Sequence, residues 1–284
     1  MEIAIICLGY LKSATGAALL ADYFADWADF YIHIDAKSDI SPYSHAAATH
    51  ANIRLAERRF PIFWGGFNTI RACVTTIEQA LRAKNYDRIA FITEDTIPLV
   101  GRSEFLRCMS EPTEWIQTYR STNEEWIARY RGFYFFDSLA TNPRHVPPLD
   151  RRWTTHELAS LKRLEALQQR GKANIELMFG GGTWWCLSRA QIDKFLLHYH
   201  ANDHVRESFE FSAIPEEQYI HTVLGSLAES RTFVHTDWSR DPRPYVFQSI
   251  DEISSLDARG APMLRKVALD VPEIETFVRS LARC

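Results

Sequence analysis

The sequence predicts one α/β domain, a mostly parallel central sheet flanked by helices, and three observations predict it. First, Ile3 to Leu8 is an unbroken apolar run rich in β-branched residues, the pattern of a parallel strand buried on both faces. Second, a helical stretch from about Ala14 to Phe24 leads into another apolar strand, Phe30 to Ile34, giving a β-α-β unit expected to be right-handed. Third, successive strands end in polar residues, at Asp35-Ala36-Lys37 and at Thr93-Glu94-Asp95-Thr96, and the carboxyl ends of parallel strands are where open α/β sheets bind ligands.

The remaining elements follow in order. Asn68 is placed to cap a helix whose apolar residues Ile70, Cys73, Val74, Ile77 and Leu81 keep to one helical face. After a break at Asn85-Tyr86-Asp87 comes the strand Ile89 to Ile92. The stretch from Trp115 to Arg152 is aromatic, basic and proline-bearing without a clean period, and it reads as an insertion near the cleft. Thr154 and Glu157 form a capping-box pair ahead of a stripe of Leu158, Leu161, Leu164 and Leu167. Gly180-Gly181-Gly182 is a turn running into the aromatic strand that contains Trp184 and Trp185, one of which alternation sends to the core and the other to the opposite face. Ser188 is placed to cap a helix carrying Ile192, Phe195 and Leu196. Pro215-Glu216-Glu217 opens a further helix, and Pro272 begins an amphipathic one with Ile274, Phe277, Val278 and Leu281.

Composition bounds the function. The chain has 284 residues, 46% of them hydrophobic and 24% charged, with a net charge of −4, which argues against a nucleic-acid partner because such partners demand a strongly basic face. Cys7, Cys73, Cys108, Cys186 and Cys284 are widely spaced and form no Cys-x-x-Cys pair, so they read as reduced thiols of a cytoplasmic protein. The N-terminal apolar run lacks a basic flank and is too short to span a bilayer, so no transmembrane segment is expected.

Several chemistries lack their motifs. No Gly-x-Gly-x-x-Gly follows the first strand, and no Walker-type phosphate loop or Gly-x-Ser-x-Gly elbow occurs. His198, His200 and His204 have no acid or Cys partners at zinc spacing. No Asp-x-Asp is present to hold a cation against a diphosphate, so a leaving diphosphate would need side-chain cations, for which Arg240, Arg243, Arg265 and Lys266 are candidates. A Gly-rich turn lets backbone approach a bulky ligand, and a carboxylate at a first helical turn is held in place, so Gly180 to Gly182 with Glu216-Glu217 suggests a carbohydrate-sized cleft with a fixed base. Each feature also has a plain structural reading. Glu217 would only cap helix N–H groups, Asp35 would only cap a turn, Trp64-Gly65-Gly66 would only shape one, and Lys266 would be a solvated charge.

The ordered set Tyr31 to Lys37, Trp64-Gly65-Gly66, Thr93 to Leu99, Phe179 to Arg189, Pro215 to Tyr219 and Leu264 to Val267 resembles the core-2/I-branching β-1,6-N-acetylglucosaminyltransferase family, which also holds peptide O-xylosyltransferases. The resemblance spans nearly the whole chain. It implies a GT-A-like fold, with residues 1–110 as the nucleotide-binding β-α-β part and 111–284 as the acceptor and catalytic part. It further implies an inverting, metal-independent transfer from a UDP-sugar to a hydroxyl of a glycan or glycoconjugate. UDP-N-acetylglucosamine is the first expected donor and UDP-xylose the second.

Residue by residue, the resemblance makes Glu217 the general base, with Glu216 in the place of the family's Asp. It puts Lys266 on the diphosphate, with Arg243 or Arg240 beside it, and places Asp35, Lys37 and Trp64 at the nucleoside. Glu94, Asp95, Gly181, Gly182, Trp184, Trp185 and Glu216 then belong to the sugar and acceptor cleft. No cofactor or metal is expected. The chain departs from the family where Gly181-Gly182 replaces Gly-Ser and Thr96 replaces Asp, which leaves the acceptor open, and a binding protein without turnover is the alternative from another class.

Overall fold

The computed structural model describes residues 1–137, 154–227 and 230–282. In chain order the elements are β1 (Ile3–Gly9), α1 (Thr15–Phe24), β2 (Asp29–Ile34), α2 (Ser41–Thr49), β3 (Ile53–Leu55), α3 (Asn68–Ala83), β4 (Arg88–Thr93), β5 (Ile97–Pro98) and α4 (Arg102–Ser110). They continue with β6 (Thr118–Arg120), α5 (Glu124–Arg131), α6 (Thr155–Arg170), β7 (Phe179–Gly181), β8 (Trp185–Ser188), α7 (Arg189–Ala201) and α8 (Asp203–Glu210). A 3-10 turn, Pro215–Glu217, precedes α9 (Tyr219–Leu224), β9 (Val234–Thr236), α10 (Ile250–Ser254), β10 (Met263–Arg265) and α11 (Pro272–Leu281).

The central sheet runs β3-β2-β1-β4-β8, with β1, β2, β3 and β4 parallel and β8 antiparallel at its edge. The fold is therefore the mixed α/β, mostly parallel arrangement that the apolar strands predict, consistent with a GT-A-like domain. Strand alternation explains the continuous apolar runs. Along β1, Ile3, Ile5 and Cys7 face a layer that includes Leu20 and Phe24 of α1 and Phe105 of α4, while Ala4, Ile6 and Leu8 face Ile70, Val74 and Ile77 of α3 and Phe195 of α7. Because helices cover both faces, neither face of the strand needs polar residues.

Smaller sheets lie beyond the sheet's carboxyl end, β5-β10-β9 and the β6-β7 pair. β8 lies in the second part of the sequence yet completes the central sheet, and Trp115 exchanges backbone hydrogen bonds with Cys186 of that strand at 3.1 and 2.8 Å. Trp115 and Ile116 are buried, so the stretch expected to be an insertion enters the core at its start and continues as β6 and α5. Elements of three and eight residues are too short to show a period. The rest of that stretch, from 138 to 153, and Cys284 lie outside the described residues.

Local expectations are borne out unevenly. The Thr154–Glu157 capping box is formed in both directions, at 2.9 and 3.2 Å. Leu161, Leu164 and Leu167 pack against Phe135 and Phe211, but Leu158 faces solvent. Asn68 is not a cap: Phe67 holds that position, and Asn68 is the first helical residue, giving its amide to the carbonyl of Pro61 at 2.9 Å. The Asn68 N–H is satisfied by Asp137 at 3.0 Å, a partner too distant in sequence to be foreseen. Ser188 stands at the N-cap of α7, but its hydroxyl donates to Glu114 at 2.5 Å instead of closing the cap.

Candidate active site

The carboxyl end of β2 carries the first cluster. Asp35 accepts from the Lys37 N–H at 2.9 Å, from the Lys37 ammonium at 2.5 Å and from the Ile62 N–H at 3.2 Å, so one carboxylate fixes both its own turn and the loop ahead of Trp64. Arg59 closes the turn from below, donating to the carbonyls of Ile34, Asp35 and Ser38 at 3.0, 2.8 and 2.7 Å. The Lys37 ammonium sits 4.5 Å from the Phe63 ring centre. Trp64 is 58% exposed beside this cluster.

The same loop is fastened to the turn that bears Glu217. Gly65 takes a positive φ of 77°, and its carbonyl accepts the Ile214 N–H at 3.0 Å. Ile214 is itself left-handed, at φ 51° and ψ 53°, a costly conformation for a β-branched residue and one that aims the chain into Pro215–Glu217. Glu217 makes no side-chain capping bond at this turn or at the start of α9. Its carboxylate, with 26% side-chain exposure, accepts one charge-assisted bond from Arg129 at 3.1 Å. Burial raises the Glu217 carboxyl above its ordinary value, and the Arg129 cation opposes this without cancelling it. Burial, then the neighbouring Glu217 charge, lifts Glu216 further, to about 8.

Arg129 is held in turn by Glu125 at 3.0 Å and lies 4.7 Å from the Trp126 ring centre. Tyr119, exposed at its edge and set against Trp126 edge to face at 5.6 Å, feels the Glu217 charge as a lesser contribution to a pKa raised mainly by burial. The aromatics nearest Glu217 and Arg129 are therefore Tyr119 and Trp126, which sequence reasoning missed. Their signal was the Asn123 cap, whose side chain accepts the Glu125 N–H at 2.8 Å, followed by Trp126 and Arg129 at helical spacing. Trp185, by contrast, is 2% exposed and belongs to the core.

The three glycines are not the turn expected from sequence, since Gly180 and Gly181 lie in β7, and packing accounts for them. A Cβ on Gly180 would strike the Trp126 ring, and one on Gly181 would strike the Gln117 carbonyl and His221, so both glycines serve close approach of neighbouring protein elements. Gly182 is different. A Cβ there meets only the Gln117 side chain at 3.6 Å, an ordinary contact.

At the end of β4, Glu94 and Asp95 are buried among protein partners. Glu94 accepts from the N–H groups of Tyr10 and Leu11 and from the Tyr43 hydroxyl, tying the loop after β1 to β4, and it is fully buried, which raises its pKa. Asp95 meets Arg265 through Nη2 at 3.1 Å and Nε at 3.3 Å, and accepts hydroxyls from Tyr10 at 2.9 Å and Thr93 at 2.5 Å. Burial alone would raise its pKa, but Arg265 and these hydrogen bonds together hold the carboxyl below its usual value. Half-buried Trp184 covers the guanidinium of Arg265 at 4.8 Å. Both carboxylates are therefore structural ties next to the cleft, with their oxygens already occupied.

The four cations separate in the same way. Arg265 is buried on Asp95, and Arg240 is bound to Asp237 at 2.6 Å and stacked 3.7 Å from the Tyr245 ring centre. Arg243 is exposed, with only Asp241 beside it at 3.3 Å. Lys266 is half-buried, and its ammonium has no hydrogen-bond or ion-pair partner among the described residues. The loop bearing both arginines is fastened to it, since the Phe247 N–H donates to the Lys266 carbonyl at 2.9 Å. Of the cations proposed for a diphosphate, Arg265 and Arg240 are held by Asp95 and Asp237, Arg243 makes an exposed pair with Asp241, and the Lys266 ammonium has no such bond among the described residues.

Among the described residues, no group of three or more His, Cys, Asp or Glu is placed to hold a metal ion. His198, His200 and His204 have separate neighbours, Tyr219, Glu78 and the Gly171 carbonyl. No helix among the described residues is long and apolar enough to cross a membrane. Cys7, Cys73, Cys108 and Cys186 are buried free thiols.

Comparison with known proteins identifies the family. Xylosyltransferase oxt of Drosophila pseudoobscura pseudoobscura is 22% identical over 251 residues, covering 82% of this chain but 26% of that protein. Xylosyltransferase 2 of Homo sapiens is 26% identical over 231 residues, covering 74% of this chain and 23% of that protein. Xylosyltransferase sqv-6 of Caenorhabditis elegans is 29% identical over 86 residues, 28% of this chain. The chain thus spans about a quarter of the length of the relatives it matches most fully. The family model described as Core-2/I-Branching enzyme matches residues 12–259, most of the chain and every cluster described above except Tyr10, Leu11, Arg265 and Lys266. The chain belongs to the Core-2/I-branching enzyme family, a family of glycosyltransferases.

Proposed function

We propose that this chain moves a sugar from a UDP-sugar to a hydroxyl of a glycan or glycoconjugate, with inversion and without a metal. The observation that carries the reading is Glu217, a partly exposed carboxylate with a raised pKa, one cationic partner and a backbone that fixes its place. In this mechanism Glu217 removes the proton from the acceptor hydroxyl as its oxygen attacks the anomeric carbon. The bond to UDP breaks on the opposite face, and UDP departs with the electron pair. Lys266 and Arg243, the cations free of buried partners, would neutralise the diphosphate. Asp35, Lys37 and Trp64 would bind the nucleoside, and Tyr119 and Trp126 would face the acceptor. Glu216, protonated at neutral pH, keeps a second negative charge away from the base.

N-acetylglucosamine is the donor sugar suggested by the family, and xylose is favoured by the names of the relatives. Thermal unfolding with UDP, UDP-N-acetylglucosamine and UDP-xylose, each in excess chelator and again with Mn²⁺, tests the donor without an acceptor. A ligand at 100 times its Kd adds about 2.7 kcal/mol of stability. Stabilisation that survives the chelator is expected, and its order ranks the donors. No response to any uridine nucleotide would leave a binding protein of another kind as the better reading.

A further inference from the structure

A cavity of about 530 Å³ opens on the side of α5 away from Glu217. Its volume falls within the range of small-molecule sites, roughly 300–1,000 Å³. Ile127 and Arg131 line it from one face of α5, whereas Trp126 and Arg129 form the face turned to the base. Ser121, 8% exposed, lines it too, and its Oγ is buried with no hydrogen-bond partner. An orphaned buried hydroxyl in a cavity wall is a costly feature that a ligand would satisfy.

The other walls suit the same guest. Phe133 offers a ring 38% exposed, and Gln168 and Asn174, both exposed, offer amides that donate and accept. The Lys172 side-chain nitrogen donates to the carbonyls of Tyr130 and Phe211, at 2.5 and 3.0 Å, and lies 5.1 Å from the Phe133 ring centre, with burial lowering its pKa to about 7. An aromatic face ringed by donors and acceptors matches a saccharide, with its apolar ring faces and hydroxyl edges. Gly180 connects the cavity to the catalytic side, because a Cβ there would touch both Trp126 and the Ser121 hydroxyl.

We infer that this cavity binds a sugar unit of the acceptor remote from the hydroxyl that reacts, so that the acceptor is an oligosaccharide reaching around α5 and not a single sugar. The inference rests on the transferase reading for the reacting end. A helix with side chains is about 10 Å across, which sets the reach such an acceptor needs.

The test uses Glu217→Gln protein, to prevent turnover, on an array of immobilised mono- to hexasaccharides. Phe133→Ala and Asn174→Trp are made in the same background. Retention of chains of three or more sugars, reduced about tenfold by either variant while UDP-induced stabilisation is unchanged, is the expected result. Retention unaffected by both variants, or no saccharide retained at all, overturns the inference. If Phe133→Ala also abolishes the UDP response, Asn174→Trp at its exposed position decides. If only the UDP response is absent throughout, the donor reading fails while the array still reports on the cavity. With active protein, KM for the retained oligosaccharide should rise in both variants and KM for a monosaccharide acceptor should not. Equal KM effects on both acceptors would show that the cavity does not hold the remote sugar.

Discussion

Asp95–Arg265 and Glu217–Arg129 are the same pair of chemical groups put to different uses. In the first, two guanidinium bonds and two hydroxyls surround a buried carboxylate, and its pKa is held down. In the second, one guanidinium bond reaches a partly exposed carboxylate, and burial raises its pKa. What separates the buried tie from the proposed base is therefore the number of partners left unfilled. A carboxylate whose lone pairs are all taken has no place for an acceptor's proton, whereas one with a single partner keeps an oxygen in reserve.

The difference can be broken from either side. The largest effect is expected at the base: Glu217→Gln should lower kcat by ~10²–10⁴-fold, with UDP stabilisation intact. Unchanged turnover would remove Glu217 from the role. At the buried pair, Asp95→Ala strands a guanidinium and should cost about 3–5 kcal/mol of stability, read by denaturant unfolding. A loss below about 1 kcal/mol would mean that water reaches Arg265. Lys266→Ala should weaken UDP binding about ten- to a hundredfold, the share of one charge-assisted bond, while Arg240→Ala should leave UDP affinity alone. Calorimetry that ranked them in reverse would reassign the diphosphate contact.

The smallest effects concern pH. Because the base must be ionised, kcat/KM should rise with pH through a midpoint above the ordinary carboxylate value, and Arg129→Met, which removes the opposing cation, should move that midpoint higher. A midpoint unmoved by the substitution would mean that the pair does not exist in solution. Glu216 provides a stability counterpart. Its folded pKa of about 8 lies above the unfolded value, so the folded state binds the extra proton and stability falls as pH rises between the two. Glu216→Gln should flatten the fall in Tm between pH 5 and pH 8. An identical fall in the variant would assign it to another group.

The central sheet was legible because β1, β2 and β4 are long apolar runs whose burial on both faces leaves no other reading. The proposed base was legible through Pro215-Glu216-Glu217, since the residues that set its backbone adjoin it in sequence. Arg129, by contrast, meets Glu217 across 88 positions, and the β6-β7 pair that brings α5 there has three-residue strands with no period to read. Gly180 and Gly181 misled for the same reason, because what crowds them is Trp126 and Gln117 and not a ligand. Glu94 and Asp95 show that a strand-end carboxylate declares its position in sequence but not whether its oxygens remain unoccupied.

Ile214 carries one more consequence. A β-branched residue in the left-handed region, directly before a proline, costs of order 1–3 kcal/mol that the surrounding bonds must outweigh. Directed evolution toward thermal tolerance would therefore tend to relax this turn, and a relaxed turn releases the carboxylate it aims. Lineages selected for heat alone should drift toward slower catalysts, with substitutions gathering at residues 213–215, where rigidity and activity are set against each other.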